Sequence, residues 1–422
     1  MADDIRSRMA HLWRRAGFGA RPDELDAAVA AGWDASVDRL VAMDRSDPGA
    51  DAVAVPALPG GAADAEAIRT QSAALVTWWL DRMVATANPL REKLTLFWHG
   101  HFATSVQKVR QPALMYRQNQ LLRTAGAGNF ADLAVAVAKD PAMLIWLDAN
   151  QNRKASPNEN LAREMLELFT MGIGHYGEDD VKAAARALTG WQVDRRTGAL
   201  AMAPAQHDPG PETFLGHTGA FTGEDVVRLA ASGPDAARFV AAKVFGHFAR
   251  PVAVEDGVVA DLAAGFARDL DVARLLRAVF GHPEFTAPAT RTGLVKQPVE
   301  YVAGILRAFG LRAADVPAAV ATLSGLGQVP FAPPNVGGWP QNGYWLNTST
   351  ALDRLRFAAA VAARAAGPAL ASVCPAGRAA ATARILSVDG WGPATAAALA
   401  GAAADPRTLL TIALVSPEYV LA

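Results

Sequence analysis

The sequence predicts a mainly α protein: a large multi-helix body with two long irregular loop segments and at most a short β-hairpin. Alanine is abundant and aromatic residues make up only 7% of the chain, which favours helices over sheets. Proline follows a capping residue at several predicted helix starts, and glycine stands at several predicted ends. The segments 192–222 and 325–347 instead carry too many turn residues for regular helix.

One local signal, a capping residue followed by proline in the first turn, marks several helix starts. It stands at Asn88-Pro89, at Asp140-Pro141 and at Ser156-Pro157. At the third, Glu159 follows Ser156 by three residues, which fits a capping box. The predicted helices lie at about 3–16, 22–43, 88–99, from 141, 156–172, 178–188, within 223–285, 296–310 and within 350–422.

Composition divides the chain into four parts. An N-terminal helical pair covers 1–45, and a connection rich in Pro, Gly and Ala covers 46–67 and is expected to be exposed. A helical core over 68–350 carries most of the polar motifs, and a helical region over 351–422 is expected to pack on that core. No clear internal repeat is visible.

The totals exclude several classes of protein. Hydrophobic residues make up 51% and charged residues 19% of the 422 positions, a globular composition. A net charge of −1 gives no global attraction to nucleic acid or to an anionic membrane. One cysteine, Cys374, allows neither an intramolecular disulfide nor a thiolate metal cluster. Because no signal peptide or membrane span is recognised, a cytoplasmic location is the default, with the periplasm and export left open.

Two histidines, one residue apart, lie in the segment FWHGHFATS. If the helix continues through Gly100, then Leu94, Phe97 and His101 share one stripe at about 100° per residue, and His99 falls roughly opposite. This spacing argues against both rings binding one metal. His101 is therefore either a core histidine, with His99 at the surface, or a site histidine on the inward face.

The segment SPNENLAREMLELFTMG predicts an amphipathic helix with a chemically suggestive polar stripe. Asn160, Arg163, Glu164 and Glu167 share that stripe, and the spacings allow the pairs Arg163–Glu167 and Asn160–Glu164. Acids grouped around one arginine can hold two carboxylates at different pKa values, as acid–base catalysis requires. The alternative is an ordinary solvated helix face, in which Glu159 only closes the capping box.

The two irregular segments carry further candidates. His207-Asp208, followed by a rigid Pro-Gly-Pro turn, could supply a general base, a metal ligand or an Asx-type turn. The segment PPNVGGWPQNGYWLN carries Asn335, Trp339 and Trp345, and aromatic faces with amides suit a sugar or another flat polar ligand. The alternative is a packed loop that plugs one end of the helical body.

Several familiar catalytic signatures are absent. The chain has no Gly-x-x-x-x-Gly-Lys-Ser/Thr phosphate loop, no His-Glu-x-x-His, no Gly-x-Ser-x-Gly and no Rossmann fingerprint after a strand. Standard nucleotide, zincin and hydrolase-elbow chemistry is therefore unsupported.

Seven segments together resemble the domain-of-unknown-function 1800 family of bacterial proteins. From His11 to Pro340 they are HLWRRAGFGARPDEL, PLREKLTLFWHGHFATS, QNQLLR, NRKASPNENLAREMLELFTMGIG, EDDVKAAARALTGW, HDPGPETFLG and PPNVGGWP. The resemblance implies no reaction. It implies a partner, since such proteins are often encoded beside members of the sulfatase-like domain-of-unknown-function 1501 family. That association in turn implies that the protein acts on exported or sulfated polymers. Glu212 stands where the family pattern leads us to expect lysine, so a contact between that lysine and an anion would be lost or inverted.

The first functional hypothesis is a hydrolase acting on a carbohydrate or a sulfated polymer, because paired carboxylates with aromatic walls fit glycoside chemistry. The expected catalytic residues are Glu159, Glu164, Glu167 and His101. The expected binding residues are Asn160, Arg163, Trp191, His207, Asp208, Asn335, Trp339 and Trp345.

A metal-assisted variant and a non-catalytic alternative stand beside this hypothesis. In the variant, His101, His207, Asp208 and Glu164 bind one divalent ion that activates water; no cofactor is otherwise implied. In the alternative, a helical protein binds a partner or polymer through its two irregular segments, and the carboxylate–arginine helix is a structural network. Convergence of the predicted acid and histidine side chains in an open cleft would favour the enzyme.

Overall fold

The computed structural model describes residues 2–61 and 64–421, and there the chain is mainly α, as the sequence predicts. The helices of the N-terminal half are α1 (Ala2–Ala16), α2 (Pro22–Ala31), α3 (Trp33–Val41), α4 (Pro48–Asp51), α5 (Ala65–Ala85), α6 (Pro89–His101), α7 (Val106–Val109), α8 (Pro112–Ala125), α9 (Phe130–Ala138), α10 (Pro141–Trp146), α11 (Asn160–Glu164) and α12 (Glu178–Ala187). The remaining helices are α13 (Gly223–Ser232), α14 (Pro234–Phe248), α15 (Gly257–Phe266), α16 (Val272–Gly281), α17 (Pro288–Arg291), α18 (Pro298–Ala308), α19 (Ala318–Leu326), α20 (Thr348–Leu370), α21 (Arg378–Leu386), α22 (Pro393–Gly401), α23 (Pro406–Val415) and α24 (Pro417–Val420).

The first irregular segment, 192–222, folds into two small antiparallel hairpins rather than one. Strand β1 (Trp191–Asp194) pairs with β2 (Ala199–Met202), and β3 (Glu212–Phe214) pairs with β4 (His217–Gly219). The second irregular segment, 325–347, begins at the end of α19 and continues without strands, with one short 3₁₀ turn at Asn342–Trp345. Both segments therefore connect helices, as the sequence predicts.

The helix-start signals succeed where the capping contact is local. Asp140 caps α10, since its side chain accepts the N–H groups of Ala142 and Met143. The predicted capping box at Ser156 is wrong: α11 begins only at Asn160. The backbone of Ser156 is paired with that of Arg153 in a tight turn instead, so Ser156 lies outside the helix and the box does not form.

The predicted helix over 22–43 is also divided into two. Gly32 adopts a φ of +87°, between α2 and α3. A positive φ is accessible to glycine at little cost and ends a right-handed helix.

Helix α6 is buried on every side. It contacts α1, α3, α5 and α8, and its buried residues include the continuous run 92–99. The prediction that His99 lies at the surface is therefore wrong. Its Nε2 accepts the backbone N–H of Phe331 at 2.8 Å, and its ring centroid lies 5.5 Å from that of Trp79 in α5. The helical wheel correctly places His99 and His101 on different faces of α6, but both faces are buried inside the protein.

A buried carboxylate, Glu92, stabilises the contact of α6 with α5 and α8. It accepts hydrogen bonds from Trp79 Nε1 at 2.8 Å and from two nitrogens of Arg123 at 2.9 Å, and Arg82 Nε lies 3.4 Å away. Burial alone would raise the pKa of Glu92, but these partners hold it at about 2. Because this value lies below the ordinary one, the stabilisation is complete near neutral pH and is lost as the pH falls through 2.

The predicted exposed connection over 46–67 is partly wrong, and its positions 62 and 63 lie outside the described residues. Asp47 is buried and accepts hydrogen bonds from the hydroxyl of Thr86 and the N–H of Ala87. Its side chain also caps the short helix α4. A buried carboxylate with several donors fixes this part of the connection against the end of α5.

One hydrophobic cluster includes residues from the two terminal segments and from the central one, such as Met9, Trp79 and Leu410. Helices α20 and α23 pack on each other and α20 packs on α19, so the C-terminal region contacts the core as expected. The four-part division itself stays a prediction.

Within the described residues, no single helix is long and apolar enough to cross a membrane. The helix Thr348–Leu370 and the segment Pro375–Leu386 meet that criterion of length and composition only as a pair, bent by 116°.

We expect Glu92→Gln to lower the free energy of unfolding by about 3–5 kcal/mol, because the buried guanidinium of Arg123 loses its counter-charge and that of Arg82 keeps only Asp51. Urea denaturation near pH 7 measures the change. Glu66→Gln, which removes a carboxylate from an exposed pair with Arg69, is the matched control and should cost less than about 1 kcal/mol. Equal losses in the two variants would contradict the role assigned to Glu92.

Candidate functional site

A pocket opens at the C-terminal end of α6, and we call it the His101 pocket. Its cavity volume is about 70 Å³, smaller than a typical ligand-binding cleft, so it has room for a small group or for one edge of a larger ligand. The lining residues come from α6, α14, the segment 325–347 and positions next to α11 and α18: Leu96, Phe97, Gly100, His101, Leu168, Lys243, His247, Gln297, Gln328, Gly337, Trp339, Pro340 and Gln341.

His101 is fixed in one tautomer by the end of the neighbouring helix. Its Nε2 lies 2.9 Å from the carbonyl oxygen of Phe169; because a carbonyl can only accept, Nε2 carries the proton and Nδ1 is an acceptor. Burial, with a smaller effect of Lys243, lowers the pKa of His101 to about 3. The ring is therefore neutral near pH 7. This agrees with the inward-facing histidine that the sequence predicts.

The helix that holds His101 continues α11 with a π turn over Met165–Thr170. Thr170 donates its hydroxyl proton to the carbonyl of Met165 at 2.6 Å, which satisfies one backbone group in the widened turn. Such turns are uncommon and are frequent at functional sites. The turn also contributes Leu168 to the pocket wall. We call residues 160–170 the motif helix.

The polar stripe of the motif helix pairs differently from the sequence prediction. Arg163 binds Glu159 at 2.8 Å and Glu178 through two contacts of 2.9 Å, rather than Glu167. Glu167 instead accepts a hydrogen bond from Tyr176 at 2.9 Å. Glu159 is therefore an ion-pair partner and not a member of a capping box.

Glu164 lies on this stripe and has a raised pKa. It is half-buried, and burial, followed by the charge of Glu167, raises its pKa above the ordinary value against the effect of Arg163. Asn160 is exposed, and its N–H is bound by Asn158. None of these polar side chains lines the His101 pocket, although Leu168, one turn after Glu164, does.

His207 and Asp208 lie at the end of α12, away from that lining. His207 Nδ1 lies 3.0 Å from the carbonyl of Thr189, and Asp208 accepts from Arg186 at 3.1 Å. Asp208 also accepts the N–H of Gly210, and this bond, with Arg186, lowers its pKa. The Asx-type turn, one of the alternatives for this dipeptide, is thus observed.

The predicted metal-ligand set is not brought together. His101 lines the pocket, His207 and Asp208 lie by Thr189, and Glu164 lies on the motif helix. Across residues 2–61 and 64–421, no group of three His, Cys, Asp or Glu side chains is arranged to hold a metal ion.

Glu212, which stands in place of the expected lysine, faces a cation. Its Oε2 lies 3.8 Å from Arg186, the arginine that also binds Asp208. Burial raises the pKa of Glu212 to about 7 despite this arginine. The contact at this position is therefore with a guanidinium of the chain itself.

One of the three predicted tryptophans lines the pocket. Trp339 is 9% exposed, and its ring packs beside His99, with 5.4 Å between centroids. Trp191 packs closely over Gly223, and Trp345 is buried in the core. Asn335 is exposed and accepts the N–H of Gly337 in a turn.

Sequence reasoning missed five polar lining residues: Lys243, His247, Gln297, Gln328 and Gln341. Lys243 and His247 lie four positions apart on α14, a polar stripe on a largely apolar helix that a helical wheel reveals. Gln297 precedes the proline that starts α18. Gln341 lies inside the aromatic segment PPNVGGWPQNGYWLN.

A backbone contact holds the segment 325–347 against α6. Gly338 has a φ of +82°, and a Cβ atom built there would lie 2.3 Å from the carbonyl oxygen of Gly100. Only glycine satisfies both the conformation and the contact. The contact places the neighbouring Trp339 over the end of the helix.

These features define a helical protein with a polar pocket at the end of a fully buried central helix. The chain belongs to the family of proteins of unknown function DUF1800, whose sequence model matches residues 11–421. This confirms the resemblance and extends it through the C-terminal region. Among curated proteins and among solved structures, none matches the chain.

We expect Gly338→Ala to destabilise the protein by at least about 1–3 kcal/mol, because it combines a strained backbone with an overlap against Gly100. Urea denaturation measures the loss, and near-UV circular dichroism follows the tryptophan environment. Gly343→Ala, in the same segment but with open space around its Cβ position, should change stability by less than about 0.5 kcal/mol. A neutral Gly338→Ala would show that this contact does not hold the segment.

Proposed function

We propose that the protein binds a polar ligand in the His101 pocket, and that this ligand is a carbohydrate or one unit of a carbohydrate polymer. The observation that carries the proposal is the lining: three glutamine amides and two imidazoles converge between apolar walls. An amide can donate and accept hydrogen bonds, and each of these neutral imidazoles has one nitrogen left, Nδ1 of His101 to accept and Nε2 of His247 to donate. The hydroxyl groups of a sugar require both roles. A few convergent polar groups on an apolar wall are typical of small-molecule sites.

Binding is favoured over catalysis by the pocket histidines. Burial lowers the pKa values of both His101 and His247 to about 3. A general base works best when its pKa lies near the operating pH, so neutral rings of such low basicity serve better as hydrogen-bonding groups. Trp339 contributes an apolar edge to the wall, since its ring is mostly buried.

We expect Gln341→Ala to weaken carbohydrate binding about 3- to 10-fold, which is the value of one lost hydrogen bond. Isothermal titration calorimetry with a panel of neutral and acidic mono- and oligosaccharides measures it. Gln151→Ala, an exposed glutamine outside the lining, is the matched control and should bind as the unchanged protein does. Binding that is unaffected by Gln341→Ala, or no binding across the panel, would refute the proposal.

Hydrolysis is a second candidate function, and one observation favours it. The raised pKa of Glu164 beside the second carboxylate, Glu167, is the arrangement in which one group acts as acid and the other as base. Both lie on the motif helix, next to the residue Leu168 that lines the pocket. Glu164 is the proposed general acid.

We expect Glu164→Gln to lower hydrolysis of a polysaccharide by about 10²- to 10⁴-fold, as the loss of a general acid does, while the protein stays folded. Reducing-end release measures the rate. Because the pKa of Glu164 is raised, activity should persist to higher pH than an ordinary glutamate allows. Glu178→Gln removes an exposed carboxylate of the same cluster and is the control. Full activity in Glu164→Gln would exclude the assigned role.

A further inference from the structure

A directional chain of hydrogen bonds runs through the wall of the His101 pocket, and we call it the glutamine relay. The backbone N–H of Val299 donates to Gln328 Oε1 at 3.0 Å. Gln328 Nε2 then donates to Gln297 Oε1 at 2.7 Å, and Gln297 Nε2 lies 3.3 Å from His247 Nδ1. A backbone N–H can only donate, so it fixes the orientation of both amides in turn.

The relay determines the tautomer of His247. Because an amide N–H reaches Nδ1, that nitrogen accepts, and the proton of the neutral ring lies on Nε2. Burial lowers the pKa of this ring to about 3, although Glu300 acts in the opposite direction. The fold therefore presents a single N–H from His247.

That N–H has no acceptor among the described residues. His247 is 7% exposed, and its Nε2 is buried without a hydrogen-bond partner, while the residue lines the pocket. A buried donor left unsatisfied costs about 1–3 kcal/mol, and such groups in native proteins call for an explanation. A ligand atom that accepts the hydrogen bond of this N–H in the pocket would explain why the donor is left unsatisfied by the protein.

The one charged side chain among the described lining residues is a cation. Lys243 lies one helical turn before His247 on α14 and lines the same pocket. Its Nζ lies 5.1 Å from the ring centroid of Phe239. Of the described lining residues, none is Asp or Glu. The nearby carboxylate of Glu300 is bound by Lys93 at 2.7 Å. A ligand with a negative charge is therefore favoured over a neutral one.

We propose that the ligand of the His101 pocket carries an oxyanion group (carboxylate, sulfate or phosphate) that accepts the Nε2 hydrogen of His247 and pairs with Lys243. This inference rests on the proposed binding function and names the class of ligand within it. The relay makes His247 a specificity-determining residue. A ligand that places a hydrogen-bond donor next to Nε2–H of His247 would set two donors against each other and would bind less well.

The first test reads the tautomer without any ligand. ¹⁵N-labelled histidine in the protein, followed by long-range ¹H–¹⁵N spectroscopy, should show His247 as the Nε2–H form. Addition of sulfate, phosphate or acetate should shift this Nε2 signal and raise the melting temperature. A ring found as the Nδ1–H form, or an Nε2 signal unmoved by all three anions, would overturn the proposal.

The second test reverses the relay. In Gln297→Glu the carboxylate accepts but cannot donate, so we expect Nδ1 of His247 to carry a proton and the affinity for sulfate to fall at least about ten-fold. Gln341→Glu adds the same charge to the same pocket outside the relay; it should leave the tautomer unchanged and weaken sulfate less. Equal losses in both variants would mean that charge alone decides, and would refute the role of the relay.

A third variant, Lys243→Met, keeps the tautomer and removes the cation, and should weaken sulfate about ten-fold. Sulfate binding by Lys243→Met, together with the ligand-free spectrum of His247, tests the oxyanion proposal even if Gln297→Glu fails to fold. The two proposals fail separately. If neutral sugars bind independently of Lys243 and His247, the oxyanion inference is wrong and the carbohydrate proposal is supported. If the simple anions bind as expected and no sugar binds, the carbohydrate proposal is wrong and the oxyanion inference is supported.

Discussion

The rest of the structure depends on the neutralisation of charge inside α6. A helix covered on every side cannot hydrate its charged residues, so each must find a partner within the protein. Glu92 finds a tryptophan and two arginines from α5 and α8, and Lys93 finds Glu300 of α18 at 2.7 Å. These pairs fix three helices against α6. Because the same helix ends in His101, the position of the pocket follows from this buried network.

The fold could be predicted from the sequence where local contacts decide it. The cap of Asp140 on α10 is made within three residues, so the sequence alone predicts it. The capping box at Ser156 failed because the approach to the helix folds into a turn at 153–156, and Asn152, outside the helix, accepts the N–H of Asn158. The prediction that His99 lies at the surface was wrong for a related reason. A helical wheel assigns residues to faces, but it cannot tell how many faces the rest of the chain covers.

The candidate site was predicted only in part, for a reason of chain topology. His101 and Trp339 stand in conspicuous local motifs, and both line the pocket. The glutamine relay joins residues from α14, α18 and the end of α19, and none of them forms a motif on its own. The pairing of Arg163 with Glu178 likewise involves the next helix. Residues that meet from distant segments have no fixed spacing in the sequence, so no sequence motif reveals their contact.

The close approach of Gly338 to Gly100 has a thermodynamic consequence for the pocket. Two backbones meet there without a side chain between them, so no rotamer change can accommodate movement of one relative to the other. The rim beside Trp339 is therefore already in place before a ligand arrives. Binding then orders few groups of the protein, and most of the interaction free energy remains available as affinity. An unchanged rim in the ligand-bound protein is the corollary of this preorganisation.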